Sequence, residues 1–497
     1  MSAHNDGPQT PKILIFTYSD HGQSNPMLSI ASSLALLRPD IQLHIASFSP
    51  LDKRFPEIQA LIDRERHLHY PETPRNKDIV FHLCKGVTNM QGYHLYGGGI
   101  DTLPHEPGLK GSFQAARQLG YLVAPLEGRE YLESYEQCRE LIQTIRPAAV
   151  VVDILFRPAL DACRMEKQRF IVLNTISYKE CAAMDQPGAS LLTKFPASCS
   201  AYPYPLPWYL IPFNIFINLW IGYTVATTLR FKALDAYRKE YANIPFGFYE
   251  FKIPDAPYLC PQFPETDFPF YVPEHVTSCG PLILPFRPVE EEDPELAGWL
   301  DKGPTILVNL GSHTVSDETN VRELATGLRV MFASGRVDKK TQVLWKVKVK
   351  VKGGAEIEEI LGKEIRDGRV KVVDWIKAAP VSVLVHRNAV CTVHHGGANS
   401  YNEGIWTGTP HVVLPVWYDT YDFASRVEYL GVGVYGSKTC APNVASEEFG
   451  TALMRVVGSG EESEIFRAKA RGLRDICKRR GSGREIGAKR VLELAGL

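Results

Sequence analysis

Short apolar, β-branched runs alternate along this chain with longer segments that carry apolar residues on one face. Lys12-Ile13-Leu14-Ile15-Phe16-Thr17 reads as a first strand and Ile41 to Ala46 as a second, with a helix over Met27 to Leu37 between them. Tyr18 to Pro26 is polar and reads as a loop. Ala148 to Val152 and Ile171 to Asn174 are further buried strands, and Gln114 to Ile145 is mostly helical. The pattern starts again at Thr305 to Leu310. A helix near Asn320 to Ala333 follows, then strand signals at Arg369 to Asp374, Asn388 to Val393 and His411 to Pro415. Strand, helix and strand in this order need crossover connections and hence parallel sheets. The fold class predicted is α/β, with two similar doubly wound domains around a cleft. Residues 1–284 form the first domain and 304–497 the second, joined by a linker over 285–303 that carries the acidic run Glu290 to Asp293. The run reads as a solvated helix start, and the last helices are expected to return to the first domain.

Two stretches depart from this rhythm. Leu344 to Val351 alternates strictly, which predicts a half-solvated strand with valines in, and lysines out protecting an edge. A phosphate-binding role for those lysines is the weaker alternative. Pro203 to Leu229 is apolar through Trp208, Ile211, Phe216, Leu219, Trp220, Ile221 and Val225, with no charge before Arg230. A membrane-spanning helix needs about 20 apolar residues, but Pro212, Asn214 and Asn218 argue against spanning. Three readings remain, in order: a lid over an apolar pocket, a peripheral membrane contact through 203–229, and plain core.

Composition narrows the class. Of the 497 residues, 44% are hydrophobic and 22% charged, as in ordinary soluble globular chains. A net charge of −1 gives no basic excess, so no nucleic acid is expected as a partner. Ten cysteines occur without CxxC pairs, so no zinc is expected and a reducing compartment is the simpler setting. Met1 to Pro8 is polar and lacks the apolar core of a signal peptide. A cytoplasmic protein, at most peripheral on a membrane face, is the expectation.

The chemistry concentrates between Val372 and Asp422. The strand to Val393 runs into His394-His395-Gly396-Gly397, then a helix over Asn399 to Thr407, then a second strand. The free N–H groups at such a helix start face the carboxyl end of the sheet, a ready phosphate site. His395 can donate to a phosphate oxygen, Gly397 opens the turn, and Asn399 and Ser400 add polar groups at the cap. Glu403 can accept two sugar hydroxyls. Gly311-Ser312 after the strand at 305–310 is a second anion-binding turn. In the first domain, His21 lies in a strand-end loop, either as a solvated bystander or as a proton acceptor near neutral pH. Asp153, at a strand end, either orients such a histidine or caps the helix near Pro158.

The ordered set Trp375, His395, Asn399-Ser400, Glu403 and Asp419 resembles the signature of small-molecule UDP-dependent glycosyltransferases of the GT-B fold. That fold has two Rossmann-like domains with parallel sheets facing a cleft. The resemblance implies that Trp375 stacks on uracil and that Gly311, Ser312 and His395 hold the diphosphate. It also implies Glu403 at the ribose and Asp419 at the sugar hydroxyls. His21 becomes the base and Asp153 its orienter. Three departures are visible: Ile376-Lys377 stands where the family has Pro-Gln, Thr420 replaces a Gln after the acidic residue, and His21 lies five rather than three residues before Pro26, where Gln23 stands. The implied reaction is inverting transfer of a hexose, glucose first, from a UDP-sugar to a hydroxyl of a lipophilic phenol, sterol or hydroxy lipid. No metal or other cofactor is expected. A nucleotide-sugar-binding protein without turnover is the alternative. A dinucleotide oxidoreductase ranks low, since the first strand is not followed by GxGxxG.

Overall fold

The computed structural model describes every residue except 1–9, 76, 248–252, 254–255, 312–316 and 349–353. Ser312, the 349–351 part of the alternating stretch and the polar N-terminus therefore lie outside the described residues.

The first sheet contains β1 (Lys12–Phe16), β2 (Gln42–Ser47), β3 (Val80–Leu83), β4 (Ala149–Asp153), β5 (Phe170–Leu173), β6 (Tyr258–Cys260) and β7 (Val276–Ser278). Its order is β3-β2-β1-β4-β5-β6-β7, and the pairs are parallel. The second contains β8 (Thr305–Asn309), β9 (Gln342–Lys346), β10 (Val370–Val373), β11 (Ala389–His394), β12 (His411–Val413) and β13 (Gly433–Tyr435). Its order is β10-β9-β8-β11-β12-β13, again parallel. Helices cover both faces, so β1 and β4 are buried almost throughout and read as continuous apolar runs. Each sheet reverses its winding once, between β1 and β4 and between β8 and β11. Ligands of doubly wound sheets bind beyond the carboxyl ends of strands at such points.

Helices α1 (His21–Leu37), α2 (Gly108–Val123), α3 (Tyr178–Ala182), α4 (Ile211–Thr227), α6 (Ala398–Thr407) and α7 (Tyr418–Leu430) line the cleft, whereas α5 (Pro294–Leu300) and α8 (Gly483–Ala495) do not. Ala488, Val491 and Leu492 of α8 share one apolar cluster with Ile13, Ile30 and Leu34 of the first domain. The C-terminal helix thus packs on α1. Two buried ion pairs also cross between the domains: Lys179 to Asp422 at 2.6 Å and Arg426 to Asp267 at 2.6 Å. Breaking one partner of such a pair leaves a buried charge, so these contacts fix the relative placement of the two sheets.

Four local expectations change. The helix after β1 begins at His21, with Pro26 inside it, so the polar segment is a helix start rather than a loop. Pro26 and its polar neighbours masked that start, because proline removes one helical N–H bond. β9 ends at Lys346, lies between β8 and β10, and is buried at all five positions. It is therefore neither an edge nor half-solvated, and Lys346 points inward. Residues 289–300 are not a bare linker: Val289, Leu296, Trp299 and Leu300 pack with Leu307, Leu344 and Ile376 against the second sheet. Finally, only Asn214, Ile217 and Val225 of α4 are buried, which removes the plain-core reading of 203–229.

Candidate active site

A cavity of about 1130 Å³ lies between the two sheets. From the first domain it is lined by Asp20, His21, Gln23, Thr175 and Glu180 among others. From the second come Asn309, Gly311, Lys346, Trp375, His395, Gly397, Asn399, Ser400, Glu403, Asp419 and Thr420. Every site residue expected from the sequence therefore meets in this one cleft, except Asp153, which sits behind the wall, and Ser312, which is outside the described residues.

The second-domain half is built around His395. β11 ends at His394, and the chain turns through Gly396 at φ +88° and Gly397 into α6. Gly311 and Gly397 close on the His395 ring: a Cβ on either would come within 2.7 Å of Cε1. Only glycine allows that approach. No side chain caps α6 at Gly397, so its first-turn N–H groups are left for a ligand. Behind the turn, Nδ1 of buried His394 accepts from Gly396 N at 3.0 Å, and its Nε2 lies 3.0 Å from His411 Nδ1. The amide contact makes His394 Nδ1 the acceptor, so Nε2 carries the proton and donates to His411. Burial pushes His411 down to about 3, and burial beside it holds His394 well below the ordinary imidazole range. Both are neutral supports for the His395 turn.

Around this turn, Trp375 is half exposed, with its ring 6.2 Å from that of His21. Glu403, one turn into α6, is pushed up to about 8 by burial. Asp419, in the first turn of α7, is raised to about 7 by burial and then by Glu180 and Asp422. Thr420 cannot stand in for a sugar-binding amide. Its hydroxyl donates to Trp417 O and accepts from Val416 N at 3.1 Å and Trp417 N at 3.0 Å.

The first-domain half is assembled differently. His21 opens α1, and its carbonyl accepts from Asn399 Nδ2 of α6 at 3.1 Å. The starts of the two helices thus meet across the cleft. Asp153, fully buried at the end of β4, accepts from Leu155 N at 2.9 Å and Tyr18 N at 3.5 Å. It is not the helix cap, since Phe156 holds that position. Instead it steadies the segment that leads from β1 to His21. Burial, only partly offset by those two amides, raises its carboxyl to about 7. Gln23 accepts from Thr175 Oγ1 at 2.7 Å. Glu180 was hidden in the sequence by a capping box: its Oε2 accepts from Ser177 N and Oγ, yet the side chain also faces the cleft beside Asp419. The rest of this wall has an apolar part, formed by Leu103, Leu119 and Val123, by Ile154 and Leu155, and by Leu219 and Ile221 of α4, alongside polar Arg54, Glu57, Arg157 and Asn218. On its outer side α4 and the turn before it expose Trp208, Tyr209, Phe213, Phe216 and Tyr223.

Two facing parallel α/β domains, an uncapped helix start beside a histidine, and a half-exposed tryptophan over a shared cleft are the arrangement of a glycosyltransferase of the GT-B class. Comparison with known proteins gives the family. Residues 357–494 match the model of the erythromycin biosynthesis protein CIII-like C-terminal domain. The chain is 36% identical to glycosyltransferase sdnJ of Sordaria araneosa over 500 residues, 95% of each protein. It is 30% identical to UDP-glycosyltransferase 91D1 of Stevia rebaudiana, over 39% of this chain and 40% of the relative. Its fold is similar to that of a Polygonum tinctorium UDP-glucosyltransferase capable of glucosylating indoxyl, with a TM-score of 0.63, 17% identity, and 98% and 99% of the two chains covered. The glycotransferase of kitacinnamycin gives a TM-score of 0.60 at 16% identity, over 98% of this chain and all of the other (100%). The chain belongs to the small-molecule UDP-glycosyltransferases. Among its described residues no group of three or more His, Cys, Asp or Glu is arranged to hold a metal ion.

Proposed function

We propose that this enzyme transfers a hexosyl group, glucose first, from a UDP-sugar to a hydroxyl of a lipophilic small molecule, with inversion. The observation that carries the reading is the Asn399 to His21 contact, which sets the donor helix against the residue best placed to act as base. His21 takes the acceptor's proton, and the freed oxygen lone pair bonds to the anomeric carbon. The bond from that carbon to the diphosphate breaks on the opposite face, and its electrons leave with UDP. His395 and the α6 start stabilise the charge that develops there, so turnover is expected without a divalent ion. Asp153 holds the segment carrying His21 and, when ionised, favours the protonated imidazole.

The apolar part of the wall supports a phenol, sterol or hydroxy lipid as acceptor. Because α4 both lines that wall and exposes an aromatic face, we also read 203–229 as a peripheral contact with a lipid surface, from which such acceptors are taken. The test is UDP release from UDP-glucose, with EDTA present, against a panel of lipophilic phenols, sterols and hydroxy fatty acids. Acceptor-dependent release is expected. Binding of UDP with no release from any UDP-sugar would favour a nucleotide-sugar-binding protein without turnover.

A further inference from the structure

Lys346 closes β9 at the carboxyl end of an inner strand of the second sheet. Its side chain is buried to 8% exposure and borders the cleft. Nζ donates to Gly311 O at 3.0 Å and to Asn309 Oδ1 at 3.4 Å, and lies 4.7 Å from the centroid of the Trp375 ring. None of these partners is an anion. Among the described residues no carboxylate pairs with it. Burial, with Lys348 as the nearby charge, lowers the ammonium to about 8.

A buried charge without a counter-ion destabilises the fold, and a ligand that brings the opposite charge offsets that cost. Here the surroundings say which ligand. The carbonyl that Lys346 holds belongs to Gly311, which packs against the His395 ring. Ammonium, glycine turn and imidazole therefore converge on the same part of the donor cleft. Of the three N–H groups of the ammonium, Gly311 and Asn309 engage two, which leaves one for an incoming oxygen.

We propose that Lys346 is an anion-binding residue of the donor site, pairing with the diphosphate of the nucleotide sugar and carrying part of its charge as it leaves. This rests on the UDP-sugar reading above. The competing role is purely structural: Lys346 pins Gly311 and Asn309 and touches no ligand.

The two separate by titrating the full chain with uridine, UMP, UDP and inorganic pyrophosphate, using wild type, Lys346→Met and Lys346→Arg. Lys346→Met should weaken UDP tenfold or more, weaken UMP less, leave uridine within twofold, and abolish measurable pyrophosphate binding. Lys346→Arg should restore most of the UDP affinity. Retained uridine binding shows that the variant is folded. Equal weakening of uridine, UMP and UDP, or no change in UDP, would overturn the proposal. If wild type binds pyrophosphate in a Lys346-dependent way but neither uridine nor UDP, the anion site stands and the uridine assignment falls.

Discussion

On the proposed reading, the two walls of the cleft recognise their ligands by different physics. The donor wall is polar and compact: most of its lining comes from β11, α6 and the start of α7, within about one βαβ unit, and its central His395 turn is backed by His394 and His411. The acceptor wall is dispersed, drawn from α1, α2, the β4 and β5 ends and α4, with its apolar share coming from α2, the β4 end and α4. A diphosphate needs directed donors at fixed positions, which a single rigid supersecondary unit can supply. A lipophilic acceptor needs area and exclusion of water, which many helices can share. Damage to the first wall should therefore be specific and large, and damage to the second spread out and small.

Replacing His395 with alanine should break the donor wall most severely. We expect kcat/KM to fall on the order of 10²-fold, with UDP affinity down at least tenfold, since the proposed site would lose its charge-assisted bond to the diphosphate. Acceptor KM should be unchanged in steady-state assays at saturating donor. A similar loss in acceptor binding would mean that the two walls are not separable.

A smaller effect is expected on stability. Glu403 has its carboxyl raised to about 8 in the fold, against about 4.5 when unfolded. Below pH 4.5 both states are protonated and the shift contributes nothing. Between 4.5 and 8 the unfolded chain ionises first, so the fold loses stability as pH rises, and above 8 the loss is constant. Glu403→Gln should accordingly gain on wild type across that window, with the largest gain at pH 8 and above. Thermal melts at pH 5 and pH 8 without ligand measure it, and an advantage that shrinks with pH would contradict the assignment.

The least local effect belongs to the outer face of α4. Phe216→Ser with Tyr223→Ser should reduce co-sedimentation with phosphatidylcholine vesicles several-fold while leaving turnover of a water-soluble phenol within about twofold. Unchanged vesicle binding would confine α4 to the role of pocket wall.

This contrast also explains what could be read from the sequence. The alternation of strands and helices gave away both parallel sheets, because buried parallel strands leave unbroken apolar runs. The donor residues stood out because they are contiguous. What stayed hidden was set by packing across distance. His394 and His411 lie 17 positions apart and look unremarkable until their rings meet under Gly396. Lys346 looked solvated because valine–lysine alternation mimics an edge strand, whereas the sheet order makes β9 internal. Glu180 was accounted for locally by its capping box, and only the tertiary fold turns it toward Asp419. The start of α1 was obscured by Pro26, so His21 belongs to a helix terminus held against α6.

The central claim is that a base on the first domain serves a donor held on the second. It is tested most directly by His21→Ala, measuring acceptor-dependent UDP release and UDP affinity on the same preparation. Turnover should fall by 10²-fold or more, with UDP affinity within about twofold of wild type. Full turnover would remove His21 from the mechanism and contradict the account.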